Sequence, residues 1–93
     1  MIRTFRDEAL ERCWRDGRCE KIGTGLRRRV LAKLDMMDAA RAIEDLRAPP
    51  GNHLHALKGD RAGFWAIAVS GPWRLVFRFA NGDIHDITLE QYH

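Results

Sequence analysis

The sequence lacks a long apolar segment, a signal sequence, internal repeats and low-complexity stretches. Its longest apolar run is six residues, 64–69, whereas a helix that spans a bilayer needs about 20. A charged start, an apolar stretch and a small-residue cleavage site do not follow one another at the N-terminus, so no secretory signal is predicted. We therefore expect a cytoplasmic protein that does not enter a membrane.

Cysteine is also scarce. The two cysteines, Cys13 and Cys19, are separated by five residues, a spacing that matches neither a zinc knuckle nor a redox Cys-x-x-Cys motif. A structural disulfide is unusual in a cytosolic protein. We interpret both as ordinary free thiols that behave as small hydrophobic side chains, and we do not expect them to form a site.

Length and composition indicate one small folded domain over residues 1–93. A chain of 93 residues has room for a single core, and its hydrophobic fraction of 45% is too high for a disordered chain. The net charge of +3 is mild. Residues 1–50 hold twelve Lys or Arg and nine Asp or Glu, whereas residues 51–93 hold four of each kind and all four histidines.

The first half of the chain reads as helical after a short strand over 2–5. Acidic residues 7 and 8 favour a helix start, and Gly17 is a plausible stop. Thr24 is of a type that caps a second helix, whose apolar stripe is Leu26, Val30, Leu34 and Met37. One or two further turns are predicted over 39–46, before a Pro-Pro-Gly break.

The second half changes to a strand-like period. Residues 64–69 form an apolar run typical of a strand covered on both faces, and residues 73–79 alternate between a core face and a mostly polar face. Asn81-Gly82 is a strong hairpin signal, and a last strand runs from about residue 83 to the end. The fold class is therefore α+β, an N-terminal strand and two to three helices packed on an antiparallel sheet.

Three clusters are candidates for chemistry. The first, on the second helix, comprises Arg27, Arg28, Arg29 and Lys33. It would either contact phosphate through arginine forks or form a solvated helix surface opposite the apolar stripe.

The second cluster lies in the segment 53–61, which carries His53, His55, Lys58 and Arg61. Two histidines two residues apart could bind a metal, but two ligands do not close a zinc site. A solvated loop is another reading. We favour a polar site in which an imidazole and cations surround an anionic group.

The third cluster is the C-terminus, Glu90-Gln91-Tyr92-His93. Chain ends usually fray, but this one continues a strand that has to pair in the sheet. Strict alternation places Gln91 and His93 on one face and Tyr92 on the other. Joint use of Tyr92 and His93 therefore requires a bulge or a released last residue.

The last two clusters, together with Arg74, contain what RNA cleavage without a metal or cofactor needs. A base removes the proton of a ribose 2′-hydroxyl, an acid protonates the departing 5′-oxygen, and cations meet the charge on the phosphate. Imidazole suits the proton transfers near neutral pH, and an aromatic ring can stack on a base. The residues concerned are His55, Lys58, Arg61, Arg74, Tyr92 and His93.

At this point the residues resemble a known family. The segments are His55-Ala56-Leu57-Lys58-Gly59-Asp60-Arg61, Gly63-Phe64-Trp65, Trp73-Arg74-Leu75-Val76-Phe77, Asn81-Gly82-Asp83 and Tyr92-His93. They look like the HigB toxins, the plasmid maintenance killer branch of the RelE/ParE superfamily of type II toxin–antitoxin systems. The match runs in order over residues 55–93, and the helical first half also fits.

The resemblance implies a RelE-like fold and a ribosome-dependent endoribonuclease that cuts messenger RNA in the decoding site. Carried over, the family's active-site positions are His55, Lys58, Arg74, Tyr92 and His93, with Arg61 and Gln91 in support. Family members commonly end in Asp-Tyr-His, whereas Gln91 stands before Tyr92 here. Glu90 would supply the missing carboxylate only if the strand end shifts register.

The resemblance also implies partners, namely the ribosome, messenger RNA and a HigA-like helix-turn-helix antitoxin. The basic cluster on the second helix is a candidate surface for binding ribosomal RNA. Two alternatives from other classes remain, a ParE-like toxin that acts on DNA gyrase without nuclease activity, and a catalytically weak binding module.

Overall fold

Two α-helices precede an antiparallel sheet along the chain. The computed structural model describes residues 1–92, and within them the helices are α1 (Glu8–Asp16) and α2 (Thr24–Ala39). Three short 3-10 helices follow at Ile43–Arg47, Pro50–Asn52 and Gly59–Arg61. The strands are β1 (His55–Ala56), β2 (Phe64–Ser70), β3 (Trp73–Ala80) and β4 (Asp83–Gln91). This is the predicted α+β class.

The first helix begins and ends as its sequence predicts. The Asp7 side chain accepts a hydrogen bond from the Leu10 amide at 3.1 Å, which satisfies a free donor of the first turn. Gly17 ends the helix in the left-handed region, at φ 71°. The second helix begins at Thr24, where the sequence predicts it to open, but the capping position is Gly23, which offers no side-chain acceptor.

The sheet is a meander in the order β1-β2-β3-β4, with every neighbouring pair antiparallel. Asn81 and Gly82 form the turn between β3 and β4 with φ values of 53° and 80°, as the hairpin prediction requires. The predicted opening strand is present only as two isolated parallel bridges to β4, Ile2 to Ile84 and Phe5 to Ile87.

The core lies between the helices and one face of the sheet. Three members of the predicted α2 stripe, Val30, Leu34 and Met37, are fully buried. They pack in one cluster with Leu10 and Cys13 of α1 and with sheet residues that include Ile67, Leu75, Phe77, Ile84 and Ile87. No helix within residues 1–92 has both the length and the hydropathy needed to cross a membrane.

A bulge in β4 sets which side chains share the second face of the sheet. The pairing shifts between Val76 and Arg78, and Asp86 takes a positive φ of 57° opposite this shift. Beyond the bulge, Val76 pairs with Thr88 and Arg74 pairs with Glu90. Because side chains alternate along a strand, Thr88, Glu90 and Tyr92 share the face away from the core.

The interpretation of the cysteines as free thiols is wrong. Cys13 and Cys19 form a disulfide, and their Cα atoms are 4.3 Å apart. The left-handed Gly17 turns the chain back at the end of α1, which brings Cys19 beside the helix it has just left. The spacing of Cys13 and Cys19 excludes metal and redox motifs, but it does not show that the chain reverses direction between them.

Candidate active site

A pocket of about 270 Å³ lies on the sheet face away from the helices. Its floor is apolar and small, because Ala66 and Val76 are cross-strand partners there. Its walls carry imidazole, cationic, carboxylate and phenol groups from four separate segments. The lining residues are His55, Leu57, Lys58, Arg61, Ala66, Arg74, Val76, Glu90, Gln91 and Tyr92.

Arg74 is fixed in the pocket wall by its own hairpin. Its Nη1 donates to the carbonyl of Gly71 at 2.7 Å and to that of Trp73 at 3.0 Å. Its Cζ lies 5.2 Å from the centroid of the Tyr92 ring, within the range of a cation–π contact. Within residues 1–92 the Nε and Nη2 donors of Arg74 meet no acceptor, so they can bind an anion.

Tyr92 is held by its backbone, and its ring is largely exposed. The Tyr92 amide donates to the carbonyl of Pro72 at 2.5 Å, which extends the strand pairing beyond Gln91. The residue is nevertheless 62% exposed. An exposed aromatic ring held in one place is suited to stacking on a nucleobase.

His55 has a defined arrangement of its ring nitrogens. Its Nδ1 lies 3.0 Å from the carbonyl oxygen of His53. Because a carbonyl can only accept, Nδ1 carries a hydrogen, and Nε2 holds the free lone pair of the neutral imidazole. His53 itself adopts φ 48° and is exposed.

Glu90 and Arg61 form an ion pair at the edge of the pocket. Arg61 Nη1 and Nη2 donate to the two carboxylate oxygens of Glu90 at 2.8 and 2.6 Å. The Thr88 hydroxyl donates to the second of these oxygens at 2.5 Å. The hydrogen bonds from Arg61 lower the pKa of the Glu90 carboxyl, although its partial burial opposes this.

Lys58 stands at the start of the turn that carries Arg61. It precedes the 3-10 helix Gly59–Arg61, and its carbonyl accepts from the Arg61 amide at 3.3 Å. Gly59 has a φ of 66°, a conformation that favours glycine. The Lys58 side chain is exposed and contributes to the pocket wall.

The basic cluster on α2 is less free than its sequence suggests. Arg27 Nε donates to the carbonyl of Ile22 at 2.8 Å, and Arg29 Nη1 donates to the Ser70 hydroxyl at 2.9 Å. Lys33 Nζ donates to the side-chain oxygen of buried Asn52. Arg28 is exposed. None of these four cations lines the pocket.

The structure therefore brings His55, Lys58, Arg61, Arg74, Gln91 and Tyr92 together around one pocket. His93 lies outside the described residues. Glu90, which the sequence predicts to contribute only if the strand end shifts register, also lines the pocket, on the same face of β4 as Tyr92. Within residues 1–92 no three His, Cys, Asp or Glu side chains gather into a possible metal site.

Comparison with known proteins identifies the family. A sequence model of the HigB-like toxins, described as the RelE-like toxin of type II toxin–antitoxin system HigB, matches residues 3–93. The chain belongs to the HigB-like toxin family. Membership of a type II toxin–antitoxin family implies an antitoxin as partner.

Individual HigB relatives resemble the chain over most of their length. It is 34% identical to Endoribonuclease HigB of Proteus vulgaris over 93 residues, all of both chains. It is 35% identical to Toxin HigB-1 of Vibrio cholerae serotype O1 over 83 residues, 88% of this chain and 87% of that protein. An uncharacterized protein of Haemophilus influenzae is 34% identical over 89 residues, 95% of this chain and 88% of that protein.

Proposed function

We propose that this HigB-family toxin is a ribosome-dependent endoribonuclease. It would cut messenger RNA in the decoding site without a metal and so stop translation in the cytoplasm. The observation that carries the proposal is the pocket that gathers His55, Lys58, Arg61, Arg74 and Tyr92 from separate segments of the chain. The name of the Proteus vulgaris relative, an endoribonuclease, supports it.

His55 is proposed as the general base. Its Nδ1 hydrogen is directed to the His53 carbonyl, which leaves Nε2 as the acceptor. Nε2 would take the proton of the ribose 2′-hydroxyl, and the 2′-oxygen would then attack the adjacent phosphorus. The bond from phosphorus to the 5′-oxygen breaks, and the products are a cyclic phosphate and a 5′-hydroxyl.

The cations are proposed to stabilise the charge that develops on the phosphate. Within residues 1–92 the Nη1 of Arg74 donates to the Gly71 and Trp73 carbonyls and its Nε and Nη2 meet no acceptor, and Lys58 and Arg61 line the same pocket. Fixed cations of this kind lower a barrier because they need no reorientation during the reaction. The Tyr92 ring would stack on a base next to the scissile bond.

His93 is proposed as the acid that protonates the departing 5′-oxygen. This role comes from the family's Tyr-His ending, which the sequence shares. Gln91, which lines the pocket, would support the site by hydrogen bonding through its amide.

Two macromolecular partners complete the proposal. A HigA-like helix-turn-helix antitoxin would neutralise the toxin. The α2 cluster Arg27, Arg28, Arg29 and Lys33 would meet ribosomal RNA, with Arg28 and Arg29 as its exposed members. Arginine contacts to phosphate would make this binding salt-dependent.

The proposal is tested by inducing the wild-type chain and a His55→Gln variant in bacteria without antitoxin. Loss of a general base costs about 10²- to 10⁴-fold in rate, so wild type should arrest growth and fragment messengers while the variant does not. His85→Gln is the matched control, because His85 does not line the pocket and should remain toxic. Intact messengers with altered DNA supercoiling would refute the proposal and indicate a gyrase inhibitor, and intact messengers with normal growth would indicate a binding module.

A further inference from the structure

We propose that Glu90 is a positioning residue that holds Arg61, and through it the turn carrying Lys58, in place to meet the scissile phosphate. The inference rests on the proposed function and extends it. Arg61 and Glu90 are 29 residues apart in the chain, so their ion pair joins the turn to the last strand.

The Glu90 carboxylate is poorly suited to act as a base. Both of its oxygens accept from Arg61, and one also accepts from the Thr88 hydroxyl. Its lowered pKa, which the same hydrogen bonds cause, keeps the group ionised and weakly basic. A carboxylate in this state orients its partner and does not exchange protons near neutral pH.

Arg61 retains donors for a second acceptor. A guanidinium has five N–H groups, and the pair with Glu90 uses one on each terminal nitrogen. The Nε edge of the same plane remains, and it presents Nε–H and one Nη–H side by side. This edge has the geometry that arginine uses to grip a phosphate with two parallel hydrogen bonds.

Fixing Arg61 also fixes the backbone that presents Lys58. The Arg61 amide donates to the Lys58 carbonyl at 3.3 Å, and the Ala62 amide donates to the Gly59 carbonyl at 3.1 Å. The turn has no buried residue of its own. An anchor to β4 therefore compensates for the missing core contacts and limits the motion of two cations.

Exposure argues against a mainly stabilising role. The Arg61 and Glu90 side chains are 46% and 33% exposed, and ion pairs this accessible to water contribute little to folding stability. Glu90 also places a negative charge in a pocket whose cations are Lys58, Arg61 and Arg74, where it opposes the binding of RNA. A carboxylate at this position makes sense if it orients Arg61 for catalysis while slightly weakening the attraction of the pocket for RNA.

The test separates binding from cleavage in Glu90→Gln, which keeps the shape and removes the charge. Single-turnover cleavage is measured on ribosomes carrying a messenger, and binding is measured on the same ribosomes with a messenger that has a deoxyribose at the cut site. We expect cleavage to slow about 10- to 100-fold, because small displacements of catalytic groups have effects of this size. Binding should be unchanged or tighter, since a negative charge facing the phosphate is gone.

Two further variants keep the test decisive. Arg61→Lys retains the positive charge but cannot form the two-point pair with Glu90. The double variant, with both Arg61→Lys and Glu90→Gln, should cleave no more slowly than the slower single variant, because both changes break the same ion pair. Glu11→Gln is the matched control, since it breaks a similarly exposed pair with Arg15 on α1 and should cleave at the wild-type rate.

The outcomes distinguish this inference from the proposed function. Wild-type cleavage with an equally fast Glu90→Gln, or a loss explained by weaker ribosome binding, would overturn the role of Glu90 alone. A wild-type chain that cuts no messenger would refute the proposed function itself. If Glu90→Gln unfolds at the assay temperature, Arg61→Lys decides the matter, and a wild-type rate there would overturn the proposal.

Discussion

Arg74 offers the sharpest test of how the pocket would work. Its Nη1 is held by two carbonyls, and its Nε and Nη2 meet no acceptor within residues 1–92, so we expect them to bind a phosphate. A hydrogen bond from a charged donor contributes about 1.5–3 kcal/mol, and if it forms only in the transition state its loss slows cleavage about 10- to 150-fold. The contact between Arg74 and Tyr92 adds about 0.5–1 kcal/mol at an exposed site. Arg74→Ala should therefore fall at the upper end of this range.

Arg74→Lys separates charge from geometry. Lysine keeps the positive charge but lacks the planar fork, so we expect an intermediate loss of about tenfold. Cleavage is measured in single turnover on programmed ribosomes, with a thermal melt of each variant to confirm folding.

Arg78→Lys is the matched control on the same strand. It pairs with Asp86 at 2.8 Å and does not line the pocket. The reasoning would be refuted if Arg74→Ala cut at the wild-type rate, or if the Arg78 variant lost as much as the Arg74 variants.

Three further predictions concern the rest of the molecule. Arg28→Ala should make ribosome binding less dependent on salt concentration, by about one phosphate contact, and an unchanged salt dependence would contradict that contact. Arg27→Ala, which loses a hydrogen bond to a backbone carbonyl, should mainly lower the melting temperature. Reducing the Cys13–Cys19 disulfide, which closes a loop of six-residue separation, should lower the free energy of unfolding by about 2 kcal/mol; urea unfolding with and without a dithiol reductant measures this, and coincident curves would count against it. The Asp86 carboxyl has a lowered pKa because Arg78 donates to it, so the ionised carboxylate contributes its full stability above the unfolded pKa of about 3.9 and loses it as the pH falls through the lower folded pKa. The difference in unfolding free energy between wild type and Asp86→Asn should therefore narrow below about pH 4, and a difference that stays constant with pH would contradict this prediction.

Much of the fold could be predicted because local patterns and tertiary packing agree. The stripe Val30, Leu34 and Met37 is buried as its helical spacing indicates, and Asn81-Gly82 turns as its positive φ values require. The opening strand was overestimated, because two bridges to β4 replace a continuous ladder. The apolar run in β2 predicts a strand covered on both faces, but within residues 1–92 the second face carries no helical layer. The small residues Ala66 and Ala68 lie on that face, which carries the pocket.

The sequence predicts several residues of the candidate pocket but not the contacts between them. His55, Lys58 and Arg74 could be assigned through a family resemblance, and the structure places them around one pocket. Glu90 lies on the face of Tyr92, as period-two alternation predicts, but its pair with Arg61, 29 residues earlier in the chain, is a tertiary contact that the alternation does not encode. The internal bonds of the α2 cations likewise depend on partners distant in the chain, such as Ser70 for Arg29.

The measurement that tests the central claim most directly is the mapping of RNA ends after the purified chain is mixed with messenger, once with programmed ribosomes and once without. The account predicts cuts in the codon that occupies the decoding site, with a cyclic phosphate on one fragment and a 5′-hydroxyl on the other, and only when ribosomes are present. Equal cutting of free messenger would contradict ribosome dependence. A messenger left intact on the ribosome would contradict the account as a whole.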